Sequence, residues 1–300
     1  MTTANTTTFD TVLGFTIHAR HARGRLVRLG PALDSILAAH AYPSSLARLL
    51  AEALVLAGLL GSTLKHEEGQ LTIQAQTEGG VVDLLVVDYR GGEMRGYLRY
   101  DADKLAEAPV EPSLFALFGK GYLAITFDQV VSGERYQGIV PLEGGSLAHA
   151  AEHYFAQSEQ IPSLVRVAVR ELGDGRYVAG GLLVQHLPEG EEGRERLHAR
   201  LDHPEWHHVE ALAQTVSPAE LTDVSLPLDE LLWRLFHEEE EVRTLSLGAI
   251  SRGCRCSAEH IQSVIARFPP EERAAMADES GLVHVDCEFC ARSFPVALPA

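Results

Sequence analysis

The sequence lacks the segments that would tie a protein to a membrane. No run approaches the roughly 18 apolar residues of a membrane span, because the most apolar stretch, Leu49 to Leu60, contains Glu52 and is too short. Residues Met1 to Thr8 are polar and threonine-rich, without the basic and apolar regions of a signal peptide. We therefore expect a cytoplasmic protein with no membrane partner, in a compartment that keeps thiols reduced.

Positive charge is also scarce. The 25 lysines and arginines are outnumbered by 42 aspartates and glutamates, which gives a formal net charge of -17. A nucleic-acid-binding protein needs a basic face that displaces counterions from phosphates, and no block of the sequence supplies one. Long-range repulsion from polyanions is expected, so we predict no nucleic-acid partner.

Complete nucleotide-binding motifs are missing as well. Gly119-Lys120 lacks the upstream glycine of a phosphate-binding loop, and Gly173-Asp174-Gly175 lacks the third glycine of a dinucleotide loop. The sequence therefore predicts no ATP site.

One motif typical of an enzyme is present. His149, Glu152 and His153 form the pattern H-x-x-E-H, in which two imidazoles four residues apart on a helix could share a metal ion, with Glu152 as base. A simpler interpretation is the polar face of a helix, since a five-residue pattern arises easily among 14 histidines. We expect a protein that is not an enzyme and keep the metallopeptidase as an alternative.

Cysteine is rare, and its distribution is uneven. The sequence has four cysteines, and all of them lie in its last fifth: Cys254 and Cys256, then Cys287 and Cys290. Two close pairs separated by a few dozen residues are typical of a four-thiolate metal site, because each pair can bind the ion from one turn. Zinc is the predicted ion, one per chain, and two disulfides are the alternative.

The first pair has an unusual spacing. Zinc ribbons generally use C-x-x-C on both sides of the ion, whereas Cys254 and Cys256 are separated by a single residue. Two cysteines at this spacing can chelate zinc, and they can also close a small, strained disulfide ring that is easily reduced. This spacing suits a site that opens on oxidation and closes on reduction.

The hydrophobic pattern upstream predicts an α+β domain. Hairpins dominate and a few helices interrupt them, which favours an antiparallel β-sheet core over a parallel sheet. Helices are predicted over residues 31–40, 44–60 and 146–157, with Ser44 as N-cap of the central, buried helix. Strands are predicted over residues 12–19, 25–29, 71–76, 81–89, 93–100, 122–127, 135–140, 164–170 and 177–185.

The chain is predicted to have three parts. Residues 1–188 form the α+β core domain, which we expect to fold alone. Residues 189–236 form a helical linker that begins with the charged stretch Glu189 to Arg196 and is cut by prolines. Its helices are too short to be stable alone, so we interpret it as conditionally folded. Residues 237–300 form a small C-terminal zinc-binding domain, for which metal binding, worth about 10–16 kcal/mol in small peptides, would supply most of the folding energy.

The cysteine pattern and three further segments resemble one family. They are residues 154–162, YFAQSEQIP; residues 180–185, GGLLVQ; and residues 231–239, LLWRLFHEE. Together with C-x-C and C-x-x-C they are similar to the heat shock protein 33 family of redox-regulated chaperones, from about Phe9 to Val296.

The resemblance implies a holdase chaperone that works without ATP and acts in oxidative stress. In this family the reduced, zinc-bound form is inactive. Oxidation forms two disulfides between neighbouring cysteines, here Cys254–Cys256 and Cys287–Cys290, and releases zinc. The switch domain and linker then unfold, unfolding client proteins are bound, and the oxidised form associates as a homodimer. Spacing alone leaves three disulfide connectivities open. The alternative function is a static zinc-ribbon interaction module, whose metal would resist mild peroxide.

Overall fold

A computed structural model describes residues 9–130, 133–142, 144–187 and 203–297. The threonine-rich start of the chain, the predicted core boundary at residue 188 and the charged stretch Glu189 to Arg196 lie outside the described residues. The division into three parts therefore stays a prediction.

The first sheet is an antiparallel layer of five strands in the order β10-β1-β2-β9-β8. A tight 3-10 turn at His18–Arg20, followed by His21 in the left-handed region (φ 48°), joins β1 to β2. This turn ends β1 at Ile17 and not at the predicted residue 19. The strands are β1 (Thr11–Ile17), β2 (Ala22–Leu29), β8 (Ser163–Leu172), β9 (Arg176–His186) and β10 (Arg243–Ala249).

The second sheet has six strands in the order β11-β5-β4-β3-β6-β7. All its pairings are antiparallel except that of the two-residue strand β11 with β5. The strands are β3 (Gln70–Thr77), β4 (Val82–Arg90), β5 (Glu93–Tyr100), β6 (Gly121–Gln129), β7 (Glu134–Pro141) and β11 (Ser251–Arg252). The predicted α+β class with an antiparallel core is confirmed.

Helix α2 (Ser44–Gly61) lies between the two sheets and is the centre of the main core. Two glycines let the sheets approach it closely. A Cβ on Gly181 would lie 2.5 Å from Val55, and a Cβ on Gly96 would lie 3.1 Å from Leu50. Burial on all sides explains why this helix is apolar around its circumference.

One expectation about α2 was wrong. Pro43 is the N-cap, and the Ser44 hydroxyl instead donates to Glu171 at 3.0 Å. The helix ends at Gly61, one residue beyond the predicted end, and by length and composition its 18 residues could cross a membrane. Because 78% of this window is buried inside the protein, it serves here as a core helix.

The other helices of the core are short. The first ends at Leu37, before the predicted residue 40, and the helix after β7 continues as a π-helical turn over Phe155–Glu159. Two helices between β5 and β6 were not predicted. These four are α1 (Pro31–Leu37), α3 (Ala102–Glu107), α4 (Leu114–Phe118) and α5 (Leu147–Tyr154).

Three linker helices cover the face of the first sheet that points away from α2: α6 (Pro204–Gln214), α7 (Pro218–Leu221) and α8 (Leu228–Phe236). A capping box begins α7, with Ser217 and Glu220 bonded to each other's backbone N–H groups. The apolar stripe of α8 is buried, and Phe236 packs on Phe15 of β1 with ring centroids 5.6 Å apart.

Strand β10 was missed by the sequence analysis. It follows the linker and pairs with β1 as the outermost strand of the first sheet, where its side chains are exposed or only partly buried. Its alternation of Leu245 and Leu247 with Thr244 and Ser246 is too short to distinguish a strand from a loop.

The C-terminal unit has a very small core. Its core cluster has three buried apolar residues, Ile265, Val283 and Val296. A hairpin lies on either side of the C-x-x-C turn, and Ser257 caps the helix that follows Cys256. The elements are α9 (Ala258–Ile265), α10 (Pro270–Met276), β12 (Leu282–Asp286) and β13 (Ser293–Ala297).

Candidate metal centre

The four cysteine sulfurs converge on one point. Their Sγ atoms all lie within 4.8 Å of one another, with 3.3 Å between Cys254 and Cys256, 3.6 Å between Cys254 and Cys287, and 3.4 Å between Cys256 and Cys290. Four sulfurs at about 2.3 Å from a tetrahedral zinc ion would lie about 3.8 Å apart, so this cluster fits such an ion. The cysteines are free thiols.

The first pair lies between the second sheet and α9. The Gly253 N–H donates to the Met94 carbonyl of β5 at 2.8 Å, which fixes the chain one residue before Cys254. Ser257, one residue after Cys256, accepts from the His260 N–H and begins α9. The C-x-C segment thus has a hydrogen-bonded residue on each side, Gly253 through its backbone and Ser257 through its hydroxyl.

The second pair forms the turn between β12 and β13. The Cys287 N–H donates to the Arg292 carbonyl at 2.9 Å, and the Cys287 carbonyl accepts from Cys290 and Ala291. Ala291 takes the left-handed conformation (φ 53°), which reverses the chain. The turn directs both sulfurs toward the first pair.

The thiols ionise unequally. Burial and hydrogen bonds to the neighbouring sulfurs raise the pKa of Cys256 to about 12, and burial raises the pKa of Cys287. Burial opposes ionisation of Cys290 too, but hydrogen bonds from Arg292 and the neighbouring thiols lower its pKa to about 6. These surroundings therefore favour ionisation of the Cys290 thiol, and a bound cation would favour the thiolate form of the whole cluster.

Each cysteine pair places one of the residues between its cysteines on the core. Arg255, between the first two cysteines, is 3.2 Å from the buried Asp88 carboxylate of β4, which also pairs with Arg95 of β5 at 2.7 Å. Phe289, inside the second pair, packs under the Arg95 guanidinium at 3.9 Å and against Tyr97 edge-on at 4.9 Å. The cysteine cluster is thereby coupled to the second sheet.

These docking residues were missed by the sequence analysis. A large aromatic side chain between two predicted metal ligands was the one available signal, since Phe289 has little reason to be there in a solvated turn. The partners on β4 and β5 lie more than 150 residues away, and no local pattern connects them.

The alternative metal site is not assembled as a peptidase centre. His149 and His153 lie side by side on α5 with ring centroids 4.5 Å apart. Glu152 accepts hydrogen bonds from the Val165 N–H at 2.7 Å and from Arg166 at 3.2 Å, so it joins α5 to β8. Within the described ranges, the cysteines are the one group of three or more residues that could hold a metal ion.

Comparison with known proteins covers nearly the whole chain. The sequence model of the Hsp33 protein family matches residues 10–296. The 33 kDa chaperonin of Caulobacter vibrioides is 42% identical over 297 residues, which cover 97% of this chain and 95% of the relative. The 33 kDa chaperonin of Cronobacter sakazakii is 37% identical over 268 residues, covering 89% of this chain and 85% of the relative.

A solved structure shares the fold. The 33 kDa chaperonin (heat shock protein 33 homolog) of Thermotoga maritima superposes with a TM-score of 0.77 at 24% identity, covering 96% of this chain and 95% of the other. The family is one of chaperones and not of enzymes, as expected. The chain belongs to the Hsp33 protein family.

Proposed function

We propose that this protein is a redox-regulated holdase that binds unfolding proteins without ATP when its cysteines are oxidised. The observation that carries the proposal is the convergence of four sulfurs at the point where a marginal C-terminal unit meets the core. The resting form requires reduced thiols, which suits the cytoplasm.

Cys254, Cys256, Cys287 and Cys290 would hold one zinc ion in the reduced protein. Zinc, when bound, would keep the four sulfurs as thiolates and supply most of the folding energy of the C-terminal unit. Three buried apolar residues cannot supply that energy.

Oxidation consumes the four thiolates. Two S–S bonds form, Cys254 with Cys256 and Cys287 with Cys290, and four electrons pass to two molecules of peroxide, which take up four protons and leave as water. The sulfur distances do not select this pairing, which follows from the family resemblance. Once the sulfurs are joined, no thiolate ligand remains.

Loss of the cluster would release both docking residues. Arg255 and Phe289 are held at their core partners by the cysteine segments on which they lie. When those segments unfold, the C-terminal unit loses its contacts with β4 and β5, and the chain that connects it to the linker becomes free to move.

The linker is held on the core by contacts that can be lost together. Arg28, fully buried on β2, donates to the carbonyls of Glu220, Leu221 and Leu226 around α7. Arg20, in the turn between β1 and β2, pairs with Glu205 of α6 and with Glu239, which follows α8. Detachment would expose the apolar face of the first sheet, which suits a general binder of unfolded chains and the homodimer of the oxidised form.

The test follows zinc, thiols and activity in one sample. We expect peroxide with mild heat to release one zinc per chain, consume four thiols, and switch on suppression of aggregation of a diluted, denatured enzyme, measured by light scattering without ATP. A thiol reductant should reverse all three changes. Equal suppression by reduced and oxidised protein, with zinc retained in both, would falsify the switch and leave the static zinc module.

A further inference from the structure

The edge of β1 is covered by a strand whose own side chains are exposed or only partly buried. Strand β10 pairs with β1 alone among the described strands, and Leu245 at its centre is 63% exposed. On one side of β10 lies the linker, and on the other lies the cysteine unit. The proposed switch unfolds both of these neighbours, so β10 loses its anchors when the protein is oxidised.

The residues of β10 fit poorly on the linker-covered face. Residues directly opposite in an antiparallel pair share a face of the sheet. Thr244 lies opposite Phe15, and Ser246 lies opposite Leu13. Phe15 belongs to the apolar cluster under the linker and Leu13 packs against it, so β10 places small polar side chains beside large apolar ones.

The outer edge of β10 is a poor template for another strand. Its pairing with β1 is interrupted by a shift in register, and Gly248 takes a positive φ of 97°. Irregularities of this kind protect the edges of native sheets. Strand β1 pairs with β2 without interruption from Thr11 to Ile17, so it becomes a regular edge once β10 leaves.

We propose that the uncovered edge of β1 binds an extended segment of an unfolding client by strand addition, in the place of β10. Main-chain hydrogen bonds would supply affinity without demanding a sequence. Apolar client residues at alternate positions would pack beside Leu13 and Phe15, where β10 has Thr244 and Ser246. The inference rests on the proposed function, because oxidation must first detach the linker.

Hydrogen–deuterium exchange tests where the client binds. The full-length protein is compared reduced, oxidised, and oxidised with carboxymethylated α-lactalbumin, a permanently unfolded chain. Amides of β1 should be protected, then exposed, then protected again, while those of the central strand β3 stay protected throughout. If β1 stays protected on oxidation, or stays exposed while client is held, strand addition is wrong. If the oxidised protein holds no client, the proposed function itself fails.

A variant of β10 separates edge binding from the switch. T244V/S246V improves β10 as an occupant of the edge, so the oxidised variant should bind client about fivefold more weakly, with zinc release and thiol loss unchanged. L245V alters the exposed face of the same strand and should bind client normally. Equal client binding by T244V/S246V and the native protein overturns the inference.

A peptide in trans probes the main-chain bonds. A synthetic peptide of residues 242–249 with both valines should compete with the client for the oxidised protein. The same peptide with N-methylated backbone amides should not compete. Equal competition by the two peptides would show that side chains alone account for binding and would exclude strand addition.

Discussion

The two faces of the first sheet are equally buried but differently covered. One face places Val27 and Leu183 against α2, and the other places Leu26 and Leu182 under the linker helices. All four side chains are at most 1% exposed. Burial of apolar area therefore stabilises both faces to a similar extent per unit area.

The difference lies in the cover. Helix α2 is one element of 18 residues packed between two sheets, so removing it would disrupt the whole core. The linker cover is three helices of 11, 4 and 9 residues, which would not be stable alone. The two faces are thus equally buried, but their covers differ in local stability. One face can therefore be exposed while the other stays covered.

The largest effect is expected from removing one of the four thiols proposed to bind zinc. Cys287→Ser should weaken zinc binding by more than about 100-fold, the upper range for changes to residues that merely support a ligand. The C-terminal unit should lose amide protection while α2 keeps it. His284→Ala, which removes a metal-capable side chain outside the cluster, is the control and should retain zinc. Full zinc retention by Cys287→Ser would refute the ligand assignment.

Leucine-to-alanine changes at matched buried positions compare the two covers of the first sheet, α2 and the linker helices. Leu231 on α8 and Leu54 on α2 are both fully buried, and Leu→Ala at such positions costs about 2–5 kcal/mol. Leu231→Ala should give reduced protein that suppresses aggregation under mild heat. Leu54→Ala should lower the melting temperature by roughly 5–15 °C without that activity. Equal activation by both would mean that general instability, and not linker release, produces activity.

An intermediate effect is expected at the polar anchor of the linker. Arg28→Met removes the donors to three linker carbonyls, a loss of about 2 kcal/mol after allowing for the arginine's own burial. The reduced variant should become active at lower temperature in a light-scattering scan. Arg48→Met on α2 changes a side chain 52% exposed, 3.8 Å from Glu171, and should behave like the native protein. If Arg28→Met becomes active at the same temperature as the native protein, Arg28 does not anchor the linker.

The smallest effect is expected where the cysteine unit docks. Asp88→Asn keeps the shape of the side chain but removes the charge that pairs with Arg255 and Arg95, which should weaken docking by about 1–2 kcal/mol. Zinc release by peroxide should then be several-fold faster, as followed with a chromogenic chelator. Asp83→Asn breaks an exposed pair with Arg99 on the same sheet and is the control. Identical release rates for the two variants would show that docking does not limit the switch.

Elements with a long, regular pattern could be predicted from the sequence. The central helix, the meander from β3 to β5 and the hairpin around the C-x-x-C turn follow from periodicity and from glycine-containing turns. Convergence of the cysteines could be expected because pairs at short spacing act as chelating units. These features depend on neighbours in the sequence.

Features that depend on distant partners could not be predicted. Strand β10 exists because β1, more than 200 residues earlier, offers it an edge, and its own residues have weak strand propensity. The Ser44 hydroxyl bonds to Glu171 and not in its expected capping role, and Arg28 bonds to carbonyls 192 to 198 residues away, which its neighbours in the sequence do not indicate. In each case a tertiary contact overrides a local preference.

The order of these parts along the chain has a consequence for biosynthesis. The central strands of the first sheet are complete at His186, whereas the helices and strand that cover it, and the cysteines, all come later in the sequence. At about 5–20 residues per second, the ribosome needs on the order of ten seconds to make the rest. In every newly made molecule, this face of the first sheet is therefore uncovered for a time on the ribosome, before any oxidant is involved. The nearest apolar surfaces to which it could bind are those of nascent chains on neighbouring ribosomes of the same polysome.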